Sequence, residues 1–216
     1  MRAEQTEDVE AFQRMVARIV ASNPAGRNLA LIGGFRYRFL DGSIRTSDDV
    51  DYHWHGDLAE KQTEIIGLLR RVLLPQARRQ LGYEGNVAAK SGPDVESPIV
   101  RVVNVALWKK DVPNSRIEIP VEVTRIACAD PVEVRTADGT LYATPSDADM
   151  IESKIIAVLN RVFLRHRDIV DIFLFHNHLS KDAPERLAAK LRVLDSSRAG
   201  REKRMLDLNR RGDYHA

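Results

Sequence analysis

The sequence predicts an α+β fold, with a β-containing part over about residues 25–145 followed by a helical part. Three observations carry this. Ile99 to Trp108 and Arg116 to Ile126 alternate in the period-two manner of strands and are rich in branched residues. Leu58 to Gly82 repeats its apolar residues at helical spacing between those strands and the ones upstream. From Ser146 onward, strand and turn signals give way to helical periodicity.

The elements follow in order. From Glu7 to Ser22, Val9, Phe12, Met15, Val16, Ile19 and Val20 form one apolar stripe, so the chain opens on an amphipathic helix that Asn23-Pro24-Ala25-Gly26 ends. Leu29-Ala30-Leu31-Ile32 is a short buried strand halted by Gly33-Gly34. A helical piece from Phe35 to Leu40 and a loop at Asp41-Gly42-Ser43 precede a strand over Asp48 to His55. Pro75 is expected to kink or split the long helix from Leu58. Ala137-Asp138-Gly139-Thr140 is a turn signal between two short β pieces. Ser146, with Asp149 three residues on, approximates a capping box, and two further helices cover about Asp168 to His178 and Pro184 to Leu194. The domain division is thus 1–145 and 146–216.

With 216 residues, 44% hydrophobic and 30% charged, the chain can bury a core without disulfides. The net charge of +2 excludes a polycation, but residues 198–211 carry six basic side chains against Glu202 and Asp207, a tail able to meet phosphates or simply to face solvent. Cys128, the single cysteine, lies in the apolar run Ile126-Ala127-Cys128-Ala129 and reads as a small hydrophobe. No run approaches the roughly 18 apolar residues of a membrane span. Nor does the opening Met1-Arg2-Ala3-Glu4-Gln5 resemble a signal core, so a cytoplasmic protein without a membrane partner is expected.

The chemistry concentrates in Leu31-Ile32-Gly33-Gly34 and Arg45-Thr46-Ser47-Asp48-Asp49-Val50-Asp51-Tyr52. Side chains two apart on a strand share a face, so Asp49 and Asp51 are expected side by side. Adjacent carboxylates repel, and a cation lets both stay ionised. Mg²⁺ suits them, because it takes one or two carboxylates plus substrate phosphates, and Mn²⁺ can substitute. A glycine pair at a strand end lets backbone N–H groups approach a triphosphate, with the next helix N-terminus adding positive potential. Turn and acid pair together suit phosphoryl or nucleotidyl transfer.

This string resembles the first motif of the AbiEii/AbiGii toxin family, nucleotidyltransferases of the DNA polymerase β-like superfamily. Pro120-Val121-Glu122-Val123-Thr124-Arg125 is similar to that family's later strand, which supplies a third metal-binding carboxylate. Glu118 shares the face of Glu122 and competes for the role, with Glu122 the closer match. Glu152-Ser153-Lys154-Ile155-Ile156-Ala157, Arg161 and Arg167-Asp168-Ile169-Val170-Asp171-Ile172 resemble the family's helical signature. On an unbroken helix, Lys154, Arg161, Arg165 and Asp168 would form one stripe. Phe35-Arg36-Tyr37-Arg38 departs from the family, which has small and apolar residues there.

The resemblance implies a polymerase β-like mixed sheet flanked by helices, with a helical C-terminal portion completing the nucleotide site. It implies catalytic roles for Asp49, Asp51, Glu122, Lys154 and Asp168, with Asp49, Asp51 and Glu122 as metal ligands. Nucleotide contacts would come from Gly33, Gly34, Arg45, Ser47, Lys154 and Arg161. The implied activity is transfer from a nucleoside triphosphate to an acceptor hydroxyl (EC 2.7.7 type), by a toxin of a toxin–antitoxin pair acting on tRNA or another RNA, with an antitoxin partner. Alternatives are a transferase modifying a protein or small molecule, and a non-catalytic nucleotide- or RNA-binding module. His53 and His55 continue the parity of Asp51 and are either neighbours of the metal site or a plain strand end. Arg36 and Arg38 either hold phosphate or face solvent, and His176 and His178 read as partners of helix C-terminal carbonyls.

Overall fold

A computed structural model of the chain describes residues 3–90, 100–161 and 164–193. The basic run 198–211 lies outside the described residues. The described residues fall into two compact units, one drawn from Met1–Arg125 and Val132–Thr144, the other from Ile126–Pro131 and Pro145–Ala216.

The first unit opens with helix α1 (Ala3–Ala21), whose Phe12, Met15, Val16, Ile19 and Val20 are all buried. Strand β1 (Ala30–Ile32) leads directly into α2 (Gly33–Leu40), then β2 (Val50–His53), α3 (Leu58–Leu81), β3 (Tyr83–Ala89), β4 (Val100–Lys109) and β5 (Ile117–Thr124). A separate ribbon of β6 (Glu133–Ala137) and β7 (Thr140–Thr144) completes the unit. The five-stranded sheet runs β1-β2-β5-β4-β3 and is mixed: β2 and β5 are parallel, and every other neighbouring pair is antiparallel. A mixed sheet flanked by helices is thus the architecture found.

Alternation decides the sheet's two faces. Val50, Tyr52, Val103, Val105, Leu107, Ile119, Val121 and Val123 point into one apolar core with α1 and with Ile65, Leu68, Leu69, Leu73 and Ala77 of α3. Asp51 and Glu122, of opposite parity, belong to the other face. The core therefore fixes the strand register, because a one-residue slip would drive the carboxylates into the apolar side.

The structure differs from the sequence reading at two points. Pro75 does not split α3. It sits on the exposed face with Arg71, whose carbonyl is the one a proline frees, while Leu73 and Ala77 on the buried face hold the helix to the core. Strand β3 was not expected, because Gly85, Asn86, Ala88 and Ala89 carry little strand preference. It forms because each of its seven residues pairs with β4, from Tyr83 opposite Lys109 to Ala89 opposite Val103. The β6–β7 turn forms as expected. Asp138 and Gly139 both take positive φ, 46° and 71°, the geometry a two-residue hairpin needs.

The second unit is helical: α4 (Asp147–Asn160), α5 (His166–Phe175), a 3-10 turn (His176–His178) and α6 (Ala183–Val193). Ser146 caps α4 by accepting from Asp149 N–H at 3.1 Å. The Asp149 carboxylate does not close the capping box. It accepts from Ala129 and Asp130 N–H at 2.9 and 3.0 Å and pairs with Arg186 and Lys190. Arg186 also grips Asp130 with two bonds of 2.8 Å, while Glu152 pairs with Arg186 and Lys190. Asp149 and Glu152 are fully buried, so these partners offset a desolvation that would otherwise cost several kcal/mol. No helix among the described residues is long and apolar enough to cross a membrane.

Candidate active site

Asp49, Asp51 and Glu122 come together. One carboxylate oxygen from each lies within 4.8 Å of the others, and all three residues are half-buried. Asp51 and Glu122 are direct register partners in the parallel β2–β5 pair, so adjacent strands present them on one face. Asp49 sits one residue before β2, in the bend that leads into it, rather than within the strand.

Glu118 is placed otherwise. The pairing with β2 runs from Val121 to Thr124, and Glu118 lies opposite Ala106 of β4, exposed and paired with Arg116 at 2.8 Å.

The loop before β2 is held from inside. Ser47 Oγ donates to Asp49 Oδ1 at 2.7 Å. Gln13, nearly fully buried on α1, donates through Nε2 to the carbonyls of Ser47 (2.8 Å) and Asp49 (3.3 Å). Sequence reasoning missed Gln13. The available signal was a polar side chain next to Phe12 on the buried side of an otherwise apolar stripe.

The glycine pair sits in the first turn of α2, beside these carboxylates. Gly33 has φ +77°, a region costly for other residues, and a Cβ there would collide with the Asp51 carboxylate. A Cβ on Gly34 would collide with the Arg45 guanidinium and the Ser47 hydroxyl. The glycines thus make room for Asp51, Arg45 and Ser47 to close on one turn. Arg45 Nη1 also donates to the Thr46 carbonyl at 3.0 Å.

Arg36 does not face solvent, and both Arg36 and Arg38 are engaged by groups of the first unit. Arg36 is fully buried and bonded to Thr144 Oγ1 (3.1 Å) and Asp41, and Thr144 in turn donates to the Leu31 carbonyl. Arg38 donates to the Ser43 carbonyl at 2.9 Å and pairs with Glu10 at 3.1 Å. Both fasten α2 in place. His53 is buried and its Nε2 lies 2.9 Å from Nε2 of exposed His55.

The donor set fits a hard divalent cation. All three groups offer oxygen, and oxygens sharing one Mg²⁺ at about 2.1 Å stand about 3–4 Å apart. The observed oxygens, all within 4.8 Å of one another, lie near that range. Without a cation, three carboxylates so near each other repel.

In the second unit, the unbroken helix that a single stripe would require does not form, and a separate helix follows. α4 stops at Asn160, Arg161 follows it in extended geometry, and α5 begins at His166. Three of the four stripe residues, Lys154, Arg161 and Asp168, meet nonetheless because α5 folds back on α4, whereas Arg165 is exposed. Lys154 Nζ lies 3.0 Å from Asp171 and 3.5 Å from Asp168, and Arg161 pairs with Asp168. Asp168 and Asp171 are both buried. His176 reaches the Phe173 carbonyl at 2.8 Å, as a helix-end partner should, whereas His178 pairs with Asp147 at 3.2 Å.

No protein-family model and no curated protein matches the sequence. Solved structures do match in fold. JHP933 from Helicobacter pylori has a TM-score of 0.59 at 20% identity, covering 89% of this chain and 81% of its own. A candidate nucleotidyltransferase from H. pylori has a TM-score of 0.59 at 19% identity, covering 94% and 88%. MenT4, the nucleotidyltransferase toxin Rv2826c from Mycobacterium tuberculosis H37Rv, has a TM-score of 0.60 at 20% identity, covering 86% of this chain and 64% of its own. The fold of this chain is one found among nucleotidyltransferases, a toxin included.

Proposed function

We propose that the chain is a Mg²⁺-dependent nucleotidyltransferase that moves a nucleotidyl group from a nucleoside triphosphate to an acceptor hydroxyl and releases pyrophosphate. The observation that carries this reading is the convergence of Asp49, Asp51 and Glu122 beside the Gly33-Gly34 turn, in a fold that nucleotidyltransferases share. The three carboxylates would hold the cation, which when bound supplies charge neutralisation at the triphosphate and at the departing pyrophosphate.

The remaining roles belong to the chain's own groups. Gln13 and Ser47 hold Asp49 in position. Arg45, lying over Gly34, and the backbone N–H groups opening α2 are suited to phosphate oxygens. Lys154, Arg161 and Asp168 serve the nucleotide in this reading. Asp168 and Asp171 hold the Lys154 ammonium in place by ion pairs.

The finer reading rests on the AbiEii/AbiGii resemblance and on the likeness to MenT4. It makes the protein a toxin acting in the cytoplasm on tRNA or another RNA, restrained by a cognate antitoxin. The test incubates the purified protein with Mg²⁺, each labelled nucleoside triphosphate in turn, and total tRNA. Label is expected to enter RNA with the wild type and not with Asp49→Ala. Incorporation that is absent, or equal in both proteins, contradicts the proposal.

A further inference from the structure

We infer that the outer face of α3 is a docking surface for the phosphate backbone of a nucleic acid. Between Glu64 and Glu84 the chain has no acidic residue and no lysine, but it has four arginines, arranged as the pairs Arg70-Arg71 and Arg78-Arg79. The pairs are eight residues apart, about two turns and ~12 Å along the axis. All four side chains are exposed.

Their charge is not matched by neighbouring acids. Arg14, Arg36, Arg38, Arg116, Arg135, Arg161 and Arg186 all engage carboxylates. Among the described residues Arg71, Arg78 and Arg79 engage none. Arg70 is anchored by its Nε, which donates to the Val87 carbonyl of edge strand β3 at 2.7 Å, orienting the guanidinium without neutralising it. The neighbouring acid Glu84 does not answer this charge. It alternates with the buried Tyr83 and so belongs to the opposite sheet face.

The remaining composition selects the partner. From Arg70 to Gln80 the exposed residues are the four arginines, Pro75 and Gln80. A protein interface needs large apolar or aromatic anchors at its centre, and between Arg70 and Gln80 the one exposed apolar side chain is the small ring of Pro75. Interfaces with nucleic acids are polar and strongly positive, and the arginine fork matches phosphate in a bidentate manner. A repeated pair of forks suits a repeating polyanion. α3 packs on the sheet face opposite Asp51 and Glu122, so this surface is separate from the site of transfer. The inference extends the acceptor side of the proposed function and rests on that reading for its purpose, though the binding itself does not.

The test is a fluorescence-anisotropy titration of a labelled tRNA-sized RNA hairpin, without nucleotide or metal, at several salt concentrations. Wild-type protein is expected to bind with steep salt dependence. Arg71→Gln/Arg78→Gln/Arg79→Gln should bind at least about tenfold more weakly. Its log–log salt slope should be shallower by about 2–3, at about 0.7–0.9 per lost phosphate contact. These substitutions are on the surface, and the variant should still label a short acceptor oligonucleotide as wild type does. Equal binding by the two proteins overturns the inference, as does a wild type that binds polyglutamate as tightly as RNA, which would mark an acidic-protein surface. Failure of nucleotide incorporation alone would count against the proposed function and leave this result standing.

Discussion

Asp51 and Glu122 face each other in register across the parallel β2–β5 pair, 71 residues apart in sequence and adjacent on one sheet face. Val50, Tyr52, Val121 and Val123 flank them with full burial on the other face, so the apolar core sets where the carboxylates stand. Removing either charge should leave that core intact. Glu122→Gln should therefore melt within a few degrees of wild type while losing at least about a hundredfold in nucleotide incorporation, the loss of about 3 kcal/mol expected when a metal ligand goes. A variant with activity near wild type would show that Glu122 is not a ligand.

Gln13 positions the loop that carries Ser47 and Asp49. Gln13→Leu keeps the volume but leaves two carbonyls without their donor, at about 1–3 kcal/mol. Thermal unfolding should fall by roughly 2–12 °C, and Mn²⁺ affinity should weaken as Asp49 moves. Lower stability with unchanged Mn²⁺ affinity would reduce Gln13 to a purely structural role.

Gly33 answers to both its φ and its neighbour. Gly33→Ala forces a Cβ toward the Asp51 carboxylate in a backbone region that disfavours it. Calorimetry should show Mn²⁺ affinity at least about tenfold weaker, since a displaced ligand costs over about 1.4 kcal/mol. Wild-type affinity would mean that Asp51 is free to bind from another rotamer.

Tyr52 is buried with no hydrogen-bond partner for its hydroxyl among the described residues, and burial together with Tyr142 and Asp51 pushes its pKa up. Replacing an unsatisfied polar group by an apolar one is close to neutral or stabilising. Tyr52→Phe should melt at or above the wild-type temperature in a thermal scan. A drop of several degrees would reveal a partner for the hydroxyl.

The second unit should be acid-sensitive through Asp130. The Arg186 fork, aided by Ser146, lowers its pKa from 3.8 to about 2. A carboxylate whose folded pKa is depressed stabilises above its ordinary value, and that contribution is lost as pH falls through the folded one. The stability difference between wild type and Asp130→Asn, followed by urea titration, should be constant near neutrality and shrink between about pH 4 and pH 2. A difference that persists unchanged at pH 2 contradicts the assignment.

Much of this was legible in the sequence because it depends on local pattern. The stripes of α1 and α3, the alternation of β4 and β5, and the Asp138-Gly139 hairpin are written at short range. What was not legible depends on pairing. Strand β3 exists because β4 offers it seven partners. Glu118 and Glu122 have the same parity on one strand, and only the β2–β5 register separates them. Lys154 and Asp168 meet across a break that periodicity alone did not show, through α5 folding back on α4. Gln13 bonds residues 34 and 36 positions away, a relation no helical stripe encodes.

The most direct test is Mn²⁺ binding, followed by electron paramagnetic resonance with a non-hydrolysable triphosphate analogue present. Wild-type protein should bind Mn²⁺ saturably, and Asp51→Asn should abolish that binding while retaining the fold by circular dichroism. Equal binding in the two proteins, or none in the wild type, would contradict a metal centre at Asp49, Asp51 and Glu122.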